Sequence, residues 1–270
     1  MREDLLSRYT TLGVGGKAVV SEAASPEDFL VFGNEAVILG GGSNVLIAEK
    51  NLPPFIINKT TGIDFFGEEA YVASGEKLSK LCLLAMSRGL GGLEWATGLP
   101  GSMGGAVRGN AGACGADMSS VVLSVDIMRN GKIVRIFKKD CGFSYRTSGF
   151  KSDDVILGVK IKLIPRPFFQ IRNNAENAVN LRKSQPKGHS AGCIFKNPPG
   201  FSAGKILDEA GLKGKRIGGA VISGRHANFI VNEGNATSGD VYELILVAEQ
   251  TLEKRLGFKP EREVRIIGEF

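Results

Sequence analysis

The chain has 270 residues, 43% of them apolar, enough for a packed core in one large domain or in two to three smaller ones. Lys and Arg exceed Asp and Glu by six; the excess is spread along the chain, which favours anionic ligands such as nucleotides, and no basic run interleaved with aromatics points to nucleic acid. The start MREDLLSRYTTLG lacks a signal peptide's apolar stretch, no apolar run approaches the roughly 18 residues that cross a bilayer, and four cysteines without a CxxC pair beside two histidines suggest neither a disulfide framework nor a metal site, so the expectation is a cytoplasmic, metal-free protein with no membrane insertion.

The first predicted element is a strand at KAVVSE, residues 17 to 22. Ser25-Pro26-Glu27-Asp28 then reads as an N-cap, a proline at the first helical position and an acidic first turn, predicting a short helix to Gly33. AVIL, residues 36 to 39, predicts a second strand, and this small βαβ unit ends in Gly40-Gly41-Gly42-Ser43-Asn44. From about residue 50 to 165, strand-like runs (AYVAS, VLSVDIM, KIVRIF, VILGVKIKLI) alternate with one helix. In that helix Leu78, Leu81, Cys82 and Ala85 fall at i, i+3, i+4 and i+7 and Gly89 closes it, which makes Cys82 a core residue. PRPFF at 165 to 169 marks a joint, after which IRNNAENAVNLRKSQ reads as a helix stopped by Pro186. Two more helices are expected, about 202 to 210 capped by Gly211 and about 238 to 256 with Val241, Leu244, Ile245, Ala248 and Leu252 on one face. Strands are expected near AVIS, NFIVN and EVRIIG. The expected division is 1–48, 49–165 and 166–270.

GLPGSMGGAVRGNAGACG, Gly98 to Gly115, carries seven glycines in eighteen residues. So many positions without a Cβ let backbone amides approach a ligand, and successive inward amides make an anion nest suited to a pyrophosphate. Leu99, Pro100, Met103, Ala106 and Val107 are too apolar for a solvated linker. GGGSN is a weaker signal, because a GxGxxG fingerprint starting at Gly40 would need glycine where Val45 stands, and a tight turn explains it equally well. Together the two loops suggest a dinucleotide held by something other than a Rossmann or P-loop fold. Cys193, in HSAGCIFKNPPG, is open to four readings from its residues alone: core filler, metal ligand, nucleophile or proton donor.

The ordered motifs TTLGVGGKA, ILGGGSNVLI, GLPGSMGGAVRGNAGACG, FSYRTSGF, SAGCIFKNP, AGLKGKRIGGAVISGRHANFIVN and EREVRIIGE resemble the UDP-N-acetylenolpyruvoylglucosamine reductase family over essentially the whole chain. The resemblance implies an α+β fold: a two-lobed FAD-binding domain of the vanillyl-alcohol-oxidase type (lobes 1–48 and 49–165) and a C-terminal α+β substrate domain (166–270). It implies FAD, NADPH as co-substrate and a UDP-sugar as substrate; FAD is expected to bind non-covalently, its pyrophosphate held by amides of the 98 to 112 loop and the 40 to 44 turn, and the expected state is a monomer. The short stretch between Arg146 and Cys193 resembles the family type that lacks an extra substrate-covering loop. The runner-up is an FAD-dependent alcohol or hydroxy-acid oxidase of the same fold.

Adding hydride beta to a carboxylate makes an enolate, which needs a cation and then a proton. The resemblance places Arg146 as the cation, whose planar fork of donors suits a carboxylate, Cys193 as the proton donor, and Glu263 as a carboxyl able to share that proton. Glu261 and Glu269 are nearby decoys for Glu263. The implied cofactor contacts are Gly40, Gly41, Gly42, Ser43 and Asn44 in the turn and Gly98, Pro100, Gly101, Ser102, Gly105, Asn110, Ala111 and Gly112 in the loop. Tyr145, Asn197 and His226 are implied substrate contacts, and Arg182 and Lys196 are the nearest cations for the substrate pyrophosphate. Trp95 is expected to pack.

Overall fold

KAVVSEA forms the strand Lys17–Ala23 and buries Ala18, Val20 and Ala23. In the computed structural model, which describes residues 1–33 and 35–270, its second half runs parallel to Phe55–Asn58, and that strand runs parallel to Val37–Leu39. The helix expected up to Gly33 is only a 3-10 turn, Glu27–Leu30. Asp28 Oδ2 accepts from the Ala24 amide, the Ser25 amide and the Ser25 hydroxyl. The bond from the Ser25 amide is the back half of a capping box, and the Ser25 hydroxyl donates to the same oxygen.

Two compact units divide the chain: Met1, Val20–Gly41 and Pro54–Arg182 form one, and Arg2–Val19, Gly42–Pro53 and Lys183–Phe270 form the other. Beside the parallel strands, the first unit holds a five-stranded antiparallel sheet in the order Lys132–Phe137, Val122–Arg129, Val155–Lys162, Glu69–Ala73, Ile63–Phe66. Helix α1 (Leu78–Ser87) buries the four residues its spacing predicts. The short helix α2 (Met103–Arg108) lies inside the second glycine loop; α1 and α2 contribute to the same core as the sheet. Gly158 has a packing reason: a Cβ there would lie 2.1 Å from Tyr71 Oη. The Tyr71 hydroxyl donates to Asp126 Oδ2, which also pairs with Arg135. Helix α3 (Phe168–Lys183) buries Ile171, Ala175 and Ala178.

In the second unit, His189–Cys193, Phe229–Asn232, Ala220–Ile222 and Arg216–Ile217 form an antiparallel sheet in that order. Its core is shared with α4 (Ala203–Glu209) and α5 (Ser238–Leu256). A capping box between Thr237 and Asp240 starts α5, and Gly257 in the left-handed region ends it. Arg265–Ile267 runs parallel to Val45–Ile47.

The units cut across the expected 1–48, 49–165 and 166–270 division. Residues 2–19 and 42–53 join the C-terminal unit because Leu12, Val14 and Leu46 are buried in its core, Thr11 Oγ1 donates to the Ser190 carbonyl, and Asn232 Nδ2 donates to the Leu12 carbonyl. Residues 166–182 stay with the first unit, since the Arg182 guanidinium binds the Trp95 and Thr97 carbonyls.

Candidate active site

In the first unit the two glycine segments meet backbone to backbone. A Cβ on Gly41 would lie 2.6 Å from Gly101 Cα, and one on Gly40 would lie 2.2 Å from Ser102 Oγ. Ser102 is buried, caps α2, and accepts from the Gly105 amide at 3.4 Å. The loop is stitched down by the Met103 amide to Glu76 O and the Gly104 amide to Ser74 O, both 2.8 Å. Gly41, Gly98, Pro100 and Gly105 remain exposed. Thr97 Oγ1, beside Gly98, is buried with no hydrogen-bond partner among the described residues. Bare main chain around a serine hub, next to an orphaned hydroxyl, fits the pyrophosphate of a dinucleotide.

Asn110 is buried, and its side chain is fully used. Nδ2 donates to Asp117 Oδ2 and to the Ser144 carbonyl, and Oδ1 accepts from the Ser119 amide. Ser144 opens the tight turn Ser144-Tyr145-Arg146-Thr147, closed by reciprocal amide bonds of 3.1 and 3.2 Å, with Arg146 at φ +57°. This turn lays the guanidinium against Gly112, where a Cβ would be 3.0 Å from Arg146 Nη1. Tyr145 is half exposed, with the guanidinium 5.3 Å from its ring. Arg182 Nε donates to the Thr97 carbonyl at 2.9 Å, and burial lowers its pKa. Trp95 is buried, its Nε1 donating to the Gly92 carbonyl. Cys82 is core as expected, its thiol pushed up to about 12 by burial.

In the second unit the turn's remaining residues, Gly42, Ser43 and Asn44, stand with the C-terminal motifs. Asn44 Nδ2 donates to the Glu263 carbonyl at 3.0 Å. The Glu263 amide donates to the carbonyl of Ile194, next to Cys193, at 2.7 Å. Cys193 and Glu263 therefore sit on adjacent main-chain segments. Lys196 pairs with Glu261. Asn197 Oδ1 accepts from the Ala203 amide at the start of α4. His226 lies edge-on to Phe229 and against Gly204, where a Cβ would be 2.7 Å from its Cε1. Its Nδ1 accepts from the Asn228 amide at 3.2 Å, so the ring proton is on Nε2. Burial, then the Lys213 charge, lowers its pKa and keeps it neutral.

Residues 184–267 match the family model described as the C-terminal domain of UDP-N-acetylenolpyruvoylglucosamine reductase. The curated reductase of that name from Thermus thermophilus is 39% identical over 250 residues, 92% of this chain and 94% of its own length. Its counterpart from Chlamydia abortus is 41% identical over 275 residues, 97% of this chain and 92% of its own. The chain belongs to the UDP-N-acetylenolpyruvoylglucosamine reductase family. The crystal structure of the reductase from Thermus caldophilus matches with a TM-score of 0.91 at 36% identity, covering 99% of this chain and 98% of that one. The α+β fold expected from the motifs is thus the family's fold.

Thr97 in the first unit and Asn228 in the second were not singled out by the sequence patterns. Thr97 gave no signal beyond preceding Gly98. Asn228 gave one: it is a polar residue directly ahead of the apolar run FIV, and it is 2% exposed.

Proposed function

We propose that the chain is an FAD-dependent oxidoreductase that reduces UDP-N-acetylglucosamine enolpyruvate to UDP-N-acetylmuramate with NADPH, in peptidoglycan precursor synthesis. The near full-length likeness to reductases of that name supports the reading, and the observation that carries it is the Ile194 carbonyl bonded to the Glu263 amide, which sets Cys193 beside Glu263. The main chain of Gly40, Gly41, Gly101 and Ser102 would hold FAD, which when bound would supply the hydride chemistry, from NADPH to the enolpyruvyl double bond. The contact of Gly41 with Gly101 holds the pyrophosphate-binding main chain in place, and Ser102 fixes the loop. Arg146 offers a guanidinium to the substrate carboxylate as negative charge grows there. Cys193 holds the proton that ends on the enolate carbon, and the Glu263 carboxyl shares it. Asn197 and His226 brace α4 as the wall for the sugar nucleotide. The enzyme works as a cytoplasmic monomer; no helix among the described residues is long and apolar enough to cross a membrane.

Anaerobic titration tests this. NADPH should bleach the flavin of the purified protein, and the enolpyruvyl sugar nucleotide should restore its colour stoichiometrically. Bleaching by an alcohol or hydroxy acid with reoxidation by oxygen would point to the oxidase reading.

A further inference from the structure

The strand Phe229–Asn232 ends at Phe229, yet the segment beside it continues. After a bulge at Ala191 and Gly192, Cys193 is in register with Phe229, and the Ile194 amide donates to the Asn228 carbonyl at 2.9 Å. One residue further no partner strand continues, because the chain turns back at His226, whose carbonyl accepts from the Phe229 amide. The Asn228 side chain takes that place: Oδ1 accepts from the Phe195 amide at 2.9 Å and Nδ2 donates to the Phe195 carbonyl at 2.8 Å. A carboxamide carries the same donor and acceptor as a peptide group, so it extends the ladder by one pair. At 2% exposure both bonds are shielded from water. On the other edge of the same segment, the Ile194 carbonyl receives the Glu263 amide and the Lys196 amide donates to the Glu261 carbonyl at 2.9 Å.

From this arrangement we infer that Asn228 is a positioning residue for Cys193 and Glu263, its carboxamide setting where the Cys193–Phe195 main chain lies and hence where thiol and carboxyl stand. The inference rests on the proposed roles of those two groups but makes a claim about geometry that can be read without turnover. Glutamine is one methylene too long to copy the bond pair, and alanine removes it. Aspartate lacks the donor when ionised and regains it when protonated.

The test compares Asn228→Ala and Asn228→Asp by stopped flow, with the flavin in place. Flavin reduction by NADPH should stay near parental, while reoxidation by the enolpyruvyl substrate falls about 10²-fold in the alanine variant, the scale of a misplacement of about 1 Å. The aspartate variant should regain reoxidation rate as the pH is lowered, since burial raises the pKa at which its carboxyl takes a proton; the alanine variant should not. Alkylation of Cys193 by iodoacetamide, in a Cys114→Ser background because Cys114 is exposed while Cys82 and Cys141 are buried, should change its pH midpoint in both variants. Equal slowing of both half-reactions, no acid recovery in Asn228→Asp, or an unchanged alkylation profile would each overturn the inference. Cys193→Ala separates the two claims: parental reoxidation in that variant removes the proton-donor role, and the alkylation profile still decides whether Asn228 positions the thiol.

Discussion

Asn44 and Glu263 stand 219 residues apart in the chain and are joined by a 3.0 Å hydrogen bond, from the asparagine Nδ2 to the glutamate carbonyl. The Arg265 amide donates to the Asn44 carbonyl at 3.1 Å, so one asparagine grips both ends of the segment that carries Glu263. Asn44→Ala keeps the main-chain bond and removes the side-chain bond to the Glu263 carbonyl, a loss of about 1 kcal/mol. Urea unfolding should show it as a lower midpoint at unchanged slope. A variant with the parental midpoint would mean that water replaces the amide at no cost.

Gly41→Ala tests the contact between the glycine segments. The new methyl would begin 2.6 Å from Gly101 Cα and 3.2 Å from the Ser102 amide, with backbone on that side and nothing flexible to yield. The expected outcome is purified protein with less bound flavin, read from its absorbance after dialysis, and flavin that acid precipitation releases into the supernatant. Full flavin content in the variant would remove the segment from the cofactor site.

Much of this architecture was legible because it is local. Helical spacing found α1 and α5, since Leu78, Leu81, Cys82 and Ala85 needed one apolar face and nothing else. The helix expected at Glu27 is one 3-10 turn, although Asp28 bonds back to the Ser25 amide as a capping-box residue does. What could not be read is non-local. That residues 2–19 belong with the C-terminal sheet depends on Thr11 meeting Ser190 and Leu12 meeting Asn232, and no pattern near Thr11 announces Ser190. Arg146 and Cys193 were named through family motifs. The groups that orient them, Asn110 and Asn228, are asparagines whose work shows only when their partners are in view.

Asp154 predicts how the first unit responds to acid. Its buried carboxylate takes two bonds from Arg129, 2.7 and 2.8 Å, and one from the Lys151 amide. The Arg129 hydrogen bonds, followed by the Lys151 bond and the guanidinium charge, hold its pKa below the usual carboxylate range. A depressed folded pKa means the stabilisation is complete above the unfolded value of about 3.9 and is lost as pH falls through the folded one. Asp154→Asn should lower stability at neutral pH by removing the charge that pairs with Arg129. The gap to the parent should narrow below about pH 4. Thermal melts across that range check it; a gap independent of pH would assign the effect to shape and not to charge.

Arg146→Lys keeps a positive charge but loses the planar fork, and the turn at φ +57° remains as strained as before. If the guanidinium acts on charge that appears only during substrate reduction, reoxidation should slow by about 10²-fold or more while NADPH-driven reduction stays near parental. Equal slowing of both half-reactions would make it a structural residue of the Ser144–Thr147 turn.

Cys193 carries the last prediction. It ends the strand His189–Cys193, half-buried, directly after Gly192 at φ +77°. As proton donor it should contribute about 10² to 10⁴ in rate, or about 2.7 to 5.4 kcal/mol. Cys193→Ala should leave flavin reduction intact and cripple reoxidation. Cys193→Ser restores an exchangeable proton and should recover much of the loss. The two donors differ in their response to base: a thiol ordinarily loses its proton near pH 8.5, whereas a serine hydroxyl keeps its own through the range in which the enzyme is folded. The parent should therefore lose reoxidation rate once the solution is alkaline enough for the thiolate to form, and the serine variant should hold its rate to higher pH, a crossing that packing alone does not produce. If Cys193→Ala reoxidises as fast as the parent at every pH, the thiol is filler and the proton comes from Glu263 or from water; Glu263→Gln in the same stopped-flow assay then tells those two apart, since only the carboxyl route slows.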